Sequence, residues 1–138
     1  MEETEKWLNR GYNLDREINA LAEARKKAFD LACLSGGGGG EKVQSSQGNG
    51  KEKRLLELCQ YDLTLKTRIK ELYGILQEIS DVISAVSSVP LRTLLIERYI
   101  NYKTWEQIAE SIDVSTRWIY KMRDKAIKEV RDLLDSSL

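Results

Sequence analysis

The sequence predicts an all-α protein in two parts: a long N-terminal helical hairpin resembling a coiled coil, and a C-terminal helix-turn-helix. Three observations predict it. Apolar residues recur at helical spacing on both sides of a Gly- and Ser-rich segment, residues 35–50. The only proline, Pro90, separates one long periodic helix from several short ones. The last of these short helices is basic. We therefore predict domains at residues 1–89 and 90–138, with a flexible linker at 35–50.

Composition excludes several classes of protein. The chain has 138 residues, with 22 Lys+Arg balanced by 22 Asp+Glu, and 41% of its residues are hydrophobic. It has no histidine, which excludes histidine acid–base chemistry, a catalytic triad and a Cys₂His₂ zinc site. Cys33 and Cys59 form no CxxC motif, and we interpret them as small buried apolar side chains. We therefore expect no cofactor and no metal.

The sequence also bears on the cellular location of the protein and on whether it is an enzyme. No apolar run approaches the roughly 20 residues of a membrane span, and the acidic start MEETEK is unlike a signal peptide. We expect a cytoplasmic protein with no membrane partner. The glycine runs do not match a phosphate-binding loop, because neither Gly36 nor Gly50-Lys51 has the required residues at the required spacing. An enzyme is not expected.

The N-terminal part begins with a short helix around residues 3–9, which Gly11 interrupts. The next helix has Asn13 as its predicted cap. Its apolar stripe consists of Leu14, Ile18, Leu21, Ala24, Ala28 and Leu31. The segment at 35–50, SGGGGGEKVQSSQGNG, contains almost nothing apolar, so ordering it costs too much backbone entropy.

Heptad spacing is the strongest periodic signal. Two interleaved series share the predicted seam of one long helix over residues 51–88. The first series is Leu58, Leu65, Leu72, Ile79 and Val86, and the second is Leu55, Asp62, Ile69, Leu76 and Ile83. Asp62 is the one polar residue; it either fixes the register or lies near a frayed end.

The apolar seam of the long helix requires a partner. The N-terminal helix folding back on it would give an intramolecular hairpin, and a second chain would give a dimer. Because the N-terminal helix is about half as long, part of the seam needs another partner. We therefore expect a homodimer through the helix at 51–88, with packing on the C-terminal domain as the alternative.

The C-terminal part has the layout of a helix-turn-helix. Thr104 and Gln107 form a predicted capping box, and Ser115 is the predicted cap of the next helix. At the corner between the two helices, we expect Asp113 to adopt a positive φ. The residues predicted to pack the two crossing helices are Ile108, Ala109, Ile112, Val114, Ile119 and Met122.

The polar groups of the second helix favour a DNA interface. Residues 115–131 contain six basic and two acidic side chains, a local positive stripe despite a neutral chain. The predicted groove-facing residues are Ser115, Thr116, Arg117, Tyr120, Lys121 and Asp124. The residues predicted around them for backbone contacts are Arg123, Lys125 and Lys128. Asp124 either selects against some sites or pairs with Lys128. The alternative is three ordinary helices whose charges are only solvated.

Three aromatic residues lie near this basic face, namely Tyr99, Trp105 and Trp118. We expect them to pack in the core or at its rim; stacking on bases is the alternative.

The segment at 98–130, RYINYKTWEQIAESIDVSTRWIYKMRDKAIKEV, resembles region 4 of bacterial sigma factors. Their pattern is RY…S-x-x-E-I-A…S…R, and this chain has RY…T-x-x-Q-I-A…S…R. In particular, it resembles the small sigma-region-4-like proteins of phages and prophages, including late-gene activators of the RinA and ArpU type. The resemblance is close over residues 91–134 and looser upstream, where those proteins have an N-terminal helix, a KVQSS-like segment (here 42–46) and a long helix. Tyr102 and Asp113 stand where sigma factors usually have glycine.

The resemblance implies sequence-specific binding of double-stranded DNA in transcriptional control, with RNA polymerase as a second partner. It implies DNA-reading roles for Ser115, Thr116, Arg117, Tyr120 and Lys121. No promoter-melting region is visible, so the chain resembles a regulator built on a sigma-like module. The alternative is a coiled-coil adaptor, a phage assembly subunit or a small terminase-like subunit that uses the helix-turn-helix as a scaffold.

Overall fold

The computed structural model describes residues 2–38 and 45–136, and these residues form six α-helices and no strand. The all-α prediction is therefore confirmed over the described chain. The helices are α1 (Glu2–Leu8), α2 (Tyr12–Gly38), α3 (Ser45–Ser84), α4 (Val89–Tyr99), α5 (Trp105–Ser111) and α6 (Thr116–Ser136). Asn13 does not cap α2, because that helix begins one residue before it.

Helix extends into both ends of the segment predicted as a flexible linker. α2 continues through Gly38, and α3 begins at Ser45. Extending an existing helix adds a hydrogen bond for each residue fixed, which offsets part of the entropy that disfavours glycine and serine. Residues 39–44, the centre of the predicted linker and the start of the KVQSS-like segment, lie outside the described residues.

Two compact units divide the chain. The first unit comprises Met1–Asn13 and Leu72–Leu138, and the second comprises Leu14–Glu71. The sequence prediction instead places a single boundary at residue 90. The end of α3 and the connection after it belong with α4, α5 and α6, because Ile79 and Ile83 of α3 and Val86 of the connection are fully buried in the same core.

The core of the first unit is formed by side chains from α1, the end of α3 with the connection after it, α4, α5 and α6. Its buried side chains are Leu8, Ile79, Ile83, Val86, Leu94, Leu95, Tyr99, Trp105, Ile108, Ala109, Ile119, Ala126, Ile127 and Val130. α6 contacts α1, α4 and α5. Four fully buried residues of α6 follow helical spacing, so one face of α6 is fixed against the core and the opposite face is left to solvent.

Gly11, between α1 and α2, allows a close approach to the turn before α5. A methyl group at Gly11 would lie 2.7 Å from Oη of Tyr102 and 3.0 Å from Cδ1 of Leu72. The Tyr102 ring also packs edge-on against Tyr12, with ring centroids 5.5 Å apart. Gly11 is thus required for packing, since any side chain there meets occupied space.

In the second unit, segments of α2 and α3 run antiparallel. Arg25 donates to Asp62 at 2.9 Å and Arg68 donates to Glu17 at 3.0 Å, so residues later in α2 meet residues earlier in α3. Hydrogen bonding to the carboxylate and its charge raise the pKa of Arg25 and, in the same way, that of Arg68. Asp62 therefore lies in an interhelical ion pair, the geometry expected of a residue that fixes register.

The predicted seam of α3 is only partly buried in this unit. Leu58 and Leu65 of the first heptad series are half-buried, whereas Leu55, Asp62 and Ile69 of the second are exposed. A single partner helix covers only a narrow stripe of its neighbour, so the second series falls outside the contact. The expectation that Cys33 and Cys59 are buried is also wrong, because both thiols are exposed.

Across the described part of the chain, every helix is too short or too polar to cross a membrane.

Candidate nucleic-acid interface

The turn between α4 and α5 fixes the start of α5. Tyr102 in this turn has a φ of 58°, a left-handed conformation that a bulky residue rarely adopts. Glu97 accepts hydrogen bonds from the Lys103 ammonium and the Asn101 amide. These hydrogen bonds, from Lys103 first and Asn101 second, lower the pKa of Glu97. The turn is therefore tied back to α4 by side chains from both of its ends.

The predicted capping box at the start of α5 is confirmed. The Thr104 hydroxyl accepts from the backbone N–H of Gln107 at 3.1 Å, and the Gln107 side chain accepts from the Thr104 N–H at 2.9 Å. Two of the N–H groups that a helix start leaves unpaired are thereby satisfied.

The corner between α5 and α6 is a Schellman-type turn. Asp113 has a φ of 58°, as the sequence predicts. Its N–H bonds to the carbonyl of Glu110 at 3.2 Å, and the N–H of Val114 reaches back to Ala109 at 3.0 Å. The corner thus reverses the chain within a few residues and sets the direction in which α6 leaves.

Most residues predicted to pack α5 against α6 do so. Ile108, Ala109 and Ile119 are buried, while Val114 and Met122 are half-buried against the same core. Ile112 is the exception. Its side chain is 42% exposed, because Ile112 is the C-cap residue of α5 and lies beyond the last residue of its buried face.

Ser115 caps α6, as predicted. Its hydroxyl accepts from the N–H of Trp118 at 3.1 Å, and its carbonyl accepts from the N–H of Ile119 at 3.0 Å. The N–H groups of Thr116 and Arg117, in the first turn, have no helical carbonyl to bond, as at any helix start. This end of α6 is therefore electrostatically suited to an anion.

The exposed face of α6 collects most of the predicted contact residues. Arg117, Lys121, Asp124 and Lys128 are exposed and separated by three or four residues, so they share this face. Lys125 is exposed beside them, as are Ser115 and Thr116 at the start. Arg131, one turn beyond, is exposed too, although the sequence did not place it among the contact residues.

Tyr120 and Arg123 are held at the inner edge of that face. The Tyr120 hydroxyl donates to Glu106 of α5 at 3.3 Å, and the Arg123 guanidinium lies 5.0 Å from the centre of the Tyr120 ring. Arg123 also donates two hydrogen bonds to Asp124, at 3.0 and 3.1 Å. The pairing of Asp124 with Lys128 is thus wrong: the adjacent guanidinium has two aligned N–H donors and takes the carboxylate instead.

The remaining cations of α6 keep their charge available. Within the described residues, five of them have no ion-pair partner within 4.0 Å, namely Arg117, Lys121, Lys125, Lys128 and Arg131. Five unpaired positive groups on one side of a helix create a positive potential at its surface.

The three aromatic residues near this face have different environments. Tyr99 and Trp105 pack edge-on in the core, with ring centroids 6.2 Å apart, and Arg98 stacks on Trp105. Burial raises the pKa of Tyr99 to about 12, and the negative charge of Glu5 adds to the effect. Trp118, by contrast, is 51% exposed. The prediction of core packing is therefore confirmed for Tyr99 and Trp105 and wrong for Trp118.

Among the described residues, no cluster of three or more Cys, Asp or Glu side chains has the geometry to hold a metal ion. Comparisons of the chain with models of protein families, with curated proteins and with solved structures each find no match.

Proposed function

We propose that residues 90–138 form a helix-turn-helix of the sigma-region-4 type, and that α6 enters the major groove of double-stranded DNA. The chain would then act as a sequence-specific transcriptional regulator of phage or prophage origin. The observation that supports this most is the row of unpaired cations on α6, on the side opposite its buried residues. An exposed positive face on a helix that is rigidly packed on its other side suits major-groove binding.

The positions of the cations along α6 suggest which of them would contact bases and which would contact phosphates. Arg117 and Lys121 lie in the first turns of α6, the part of a recognition helix that contacts base edges. Lys125 and Lys128 follow along the helix and are suited to phosphate contacts. The two acidic residues of α5, Glu106 and Glu110, are exposed, so α5 adds little attraction and α6 must supply most of it.

A single basic helix makes few phosphate contacts, so we propose that a second copy of the chain or RNA polymerase supplies the rest of the affinity. The exposed apolar residues of α3 support the second copy. Leu55, Leu63 and Ile69 are each more than half exposed in the single chain. Burying them against the α3 helix of another chain would remove that apolar area from water.

One observation favours the adaptor function, namely the same exposed apolar residues of α3. An adaptor would use α3 and would be indifferent to the charges of α6. The two functions therefore differ in which residues matter for DNA.

The test is fluorescence anisotropy of the full chain against mixed-sequence duplex DNA, from low to physiological salt. The test variant is Arg117→Ala/Lys121→Ala. The matched control is Lys26→Ala/Lys27→Ala, which removes the same charge from two exposed lysines of α2.

We expect the wild type and the control to bind with a steep salt dependence. The α6 variant should lose about tenfold or more in affinity and reduce the logarithmic salt slope by about two. Equal weakening by both variants would mean that only net charge matters, and no binding by any protein at low salt would contradict the DNA-binding function.

A further inference from the structure

Trp118 is the one large apolar side chain of α6 exposed by more than a third within the described residues. The other apolar residues of this helix are buried or half-buried, including Ile119 next to it. Trp105, the other tryptophan of this region, is buried in the core. An exposed indole on the surface of a small helical domain loses the stabilisation that burial would give it.

The position of Trp118 connects it to the cationic face. Along α6, Trp118, Lys121, Lys125 and Lys128 are spaced by three, four and three residues, so they form one continuous row. Trp118 begins this row in the first turn, next to Arg117. Its surroundings are therefore positive, which would bring the indole close to any polyanion that α6 binds.

The backbone of Trp118 is fixed although its ring is exposed. Its N–H donates to the Ser115 hydroxyl at 3.1 Å, and the next residue, Ile119, is fully buried. The indole thus projects from a rigid base, and it has few side-chain torsions to immobilise on binding.

We propose that Trp118 reads thymine: its indole packs against the C5-methyl group of a thymine in the major groove. This inference rests on the proposed function. Among the base edges of the major groove, the thymine methyl is the apolar group, and apolar side chains recognise it. Arg117 and Lys121 can bond polar base edges but gain nothing from a methyl, so Trp118 adds a preference that the cations cannot supply.

The experiment begins by selecting a preferred duplex from a random pool with the full-length wild type. Each thymine of that duplex is then replaced singly by deoxyuridine, which removes only the methyl group. Affinities are measured for the wild type, for Trp118→Ala and for Ile112→Ala. Ile112 is the matched control, because it is an exposed apolar residue of the same corner but lies outside α6.

We expect one or two of the thymine replacements to weaken the wild type and Ile112→Ala by about threefold to fivefold, the effect of one buried methyl group. Trp118→Ala should bind the thymine and deoxyuridine duplexes equally. Trp118→Phe, which keeps an aromatic ring, should retain part of the discrimination. Circular dichroism on each variant identifies any that fails to fold.

The outcomes separate this inference from the function on which it rests. Failure of the wild type to bind any duplex contradicts the DNA-binding function itself. A wild type that binds its selected duplex but discriminates thymine no better than Trp118→Ala overturns only the role of Trp118. Loss of self-association in Trp118→Ala, with DNA binding unchanged, would instead assign the indole to a protein interface and also overturn the proposal.

Discussion

One carboxylate oxygen of Glu129 accepts hydrogen bonds from both the backbone N–H and the hydroxyl of Ser87, at 2.8 and 2.9 Å. This contact joins α6 to the connection between α3 and α4. Arg92 donates to the carbonyl of Val86 in the same connection at 2.7 Å. The segment at 85–88 is thus held by side chains from two helices, α4 and α6.

Glu129→Ala should lower the free energy of unfolding by about 1 kcal/mol, because it removes the acceptor of two hydrogen bonds at a partly exposed site. Glu129→Gln should cost less, since its amide oxygen can still accept. Urea unfolding followed by circular dichroism measures both changes. Equal stability of the Ala and Gln variants would show that the hydrogen bonds contribute nothing measurable.

Gly11→Ala should destabilise the protein by about 1–3 kcal/mol, because its methyl would lie 2.7 Å from Oη of Tyr102. Gly74 provides a matched control for the same chemical change. It lies within α3, and a methyl there meets nothing within 4 Å, so Gly74→Ala should stabilise by about 0.5–1 kcal/mol.

Thermal unfolding of the two glycine variants side by side should move the melting temperature in opposite directions. Destabilisation by both substitutions would contradict the distinction between a packed and an open glycine.

Asp113→Gly should be neutral or stabilising, and Asp113→Ala should destabilise by about 1 kcal/mol. The reason is the positive φ of 58°: glycine adopts it freely, whereas a Cβ without a compensating polar group is strained there. Chemical unfolding of the two variants checks the order. Asp113→Ala at least as stable as Asp113→Gly would contradict it.

Features set by a few neighbouring residues were predictable from the sequence. The capping box of Thr104 and Gln107, the Ser115 cap and the positive φ of Asp113 each depend on residues within about one helical turn, and all three are confirmed. Their physical causes are local hydrogen bonds and backbone sterics, both of which depend on the identities of adjacent residues.

Features set by distant residues were not predictable in the same way. The heptad periodicity locates an apolar stripe on α3. It does not show how much of that stripe a partner helix covers, so the exposure of Leu55 and Ile69 was not predicted. Trp118 was predicted to pack in the core or at its rim, as aromatic residues of a small helical domain more often do, yet it is 51% exposed. Asp124 has four basic residues within four positions, namely Lys121, Arg123, Lys125 and Lys128. Only the side-chain geometry shows that its partner is the adjacent Arg123 and not Lys128.

Stability should fall as the pH rises from about 10 to about 12 because of Tyr99. Burial raises its pKa from 10.0 in the unfolded chain to about 12 in the folded protein. In that interval Tyr99 keeps its proton in the folded state and has released it in the unfolded state. The contribution of Tyr99 to the free energy of unfolding is therefore complete below pH 10 and is lost above it. A shift of this size corresponds to about 2–3 kcal/mol by pH 12.

Tyr99→Phe isolates this effect, since phenylalanine does not titrate. The difference in unfolding free energy between wild type and Tyr99→Phe should decrease across pH 10–12, whereas the shared titration of the other tyrosines and the lysines cancels. A difference that stays constant with pH would contradict the raised pKa.

Asp124→Asn should increase affinity for mixed-sequence duplex DNA several-fold, if α6 binds DNA as proposed. The carboxylate of Asp124 holds the Arg123 guanidinium through two hydrogen bonds. Losing its charge removes a repulsion and frees a cation for a phosphate, so the logarithmic salt slope should steepen by about one.

The control is Asp132→Asn, which makes the same change at an exposed residue of α6 that has no ion-pair partner within 4.0 Å among the described residues. Asp132→Asn removes an equal charge but frees no arginine, so its gain in affinity should be smaller and its slope should change less. Anisotropy titrations at two salt concentrations separate the two variants. Identical salt slopes for the two variants would mean that Arg123 makes no phosphate contact even when Asp124 no longer holds it. The predicted contact of Arg123 with the DNA backbone would then be wrong.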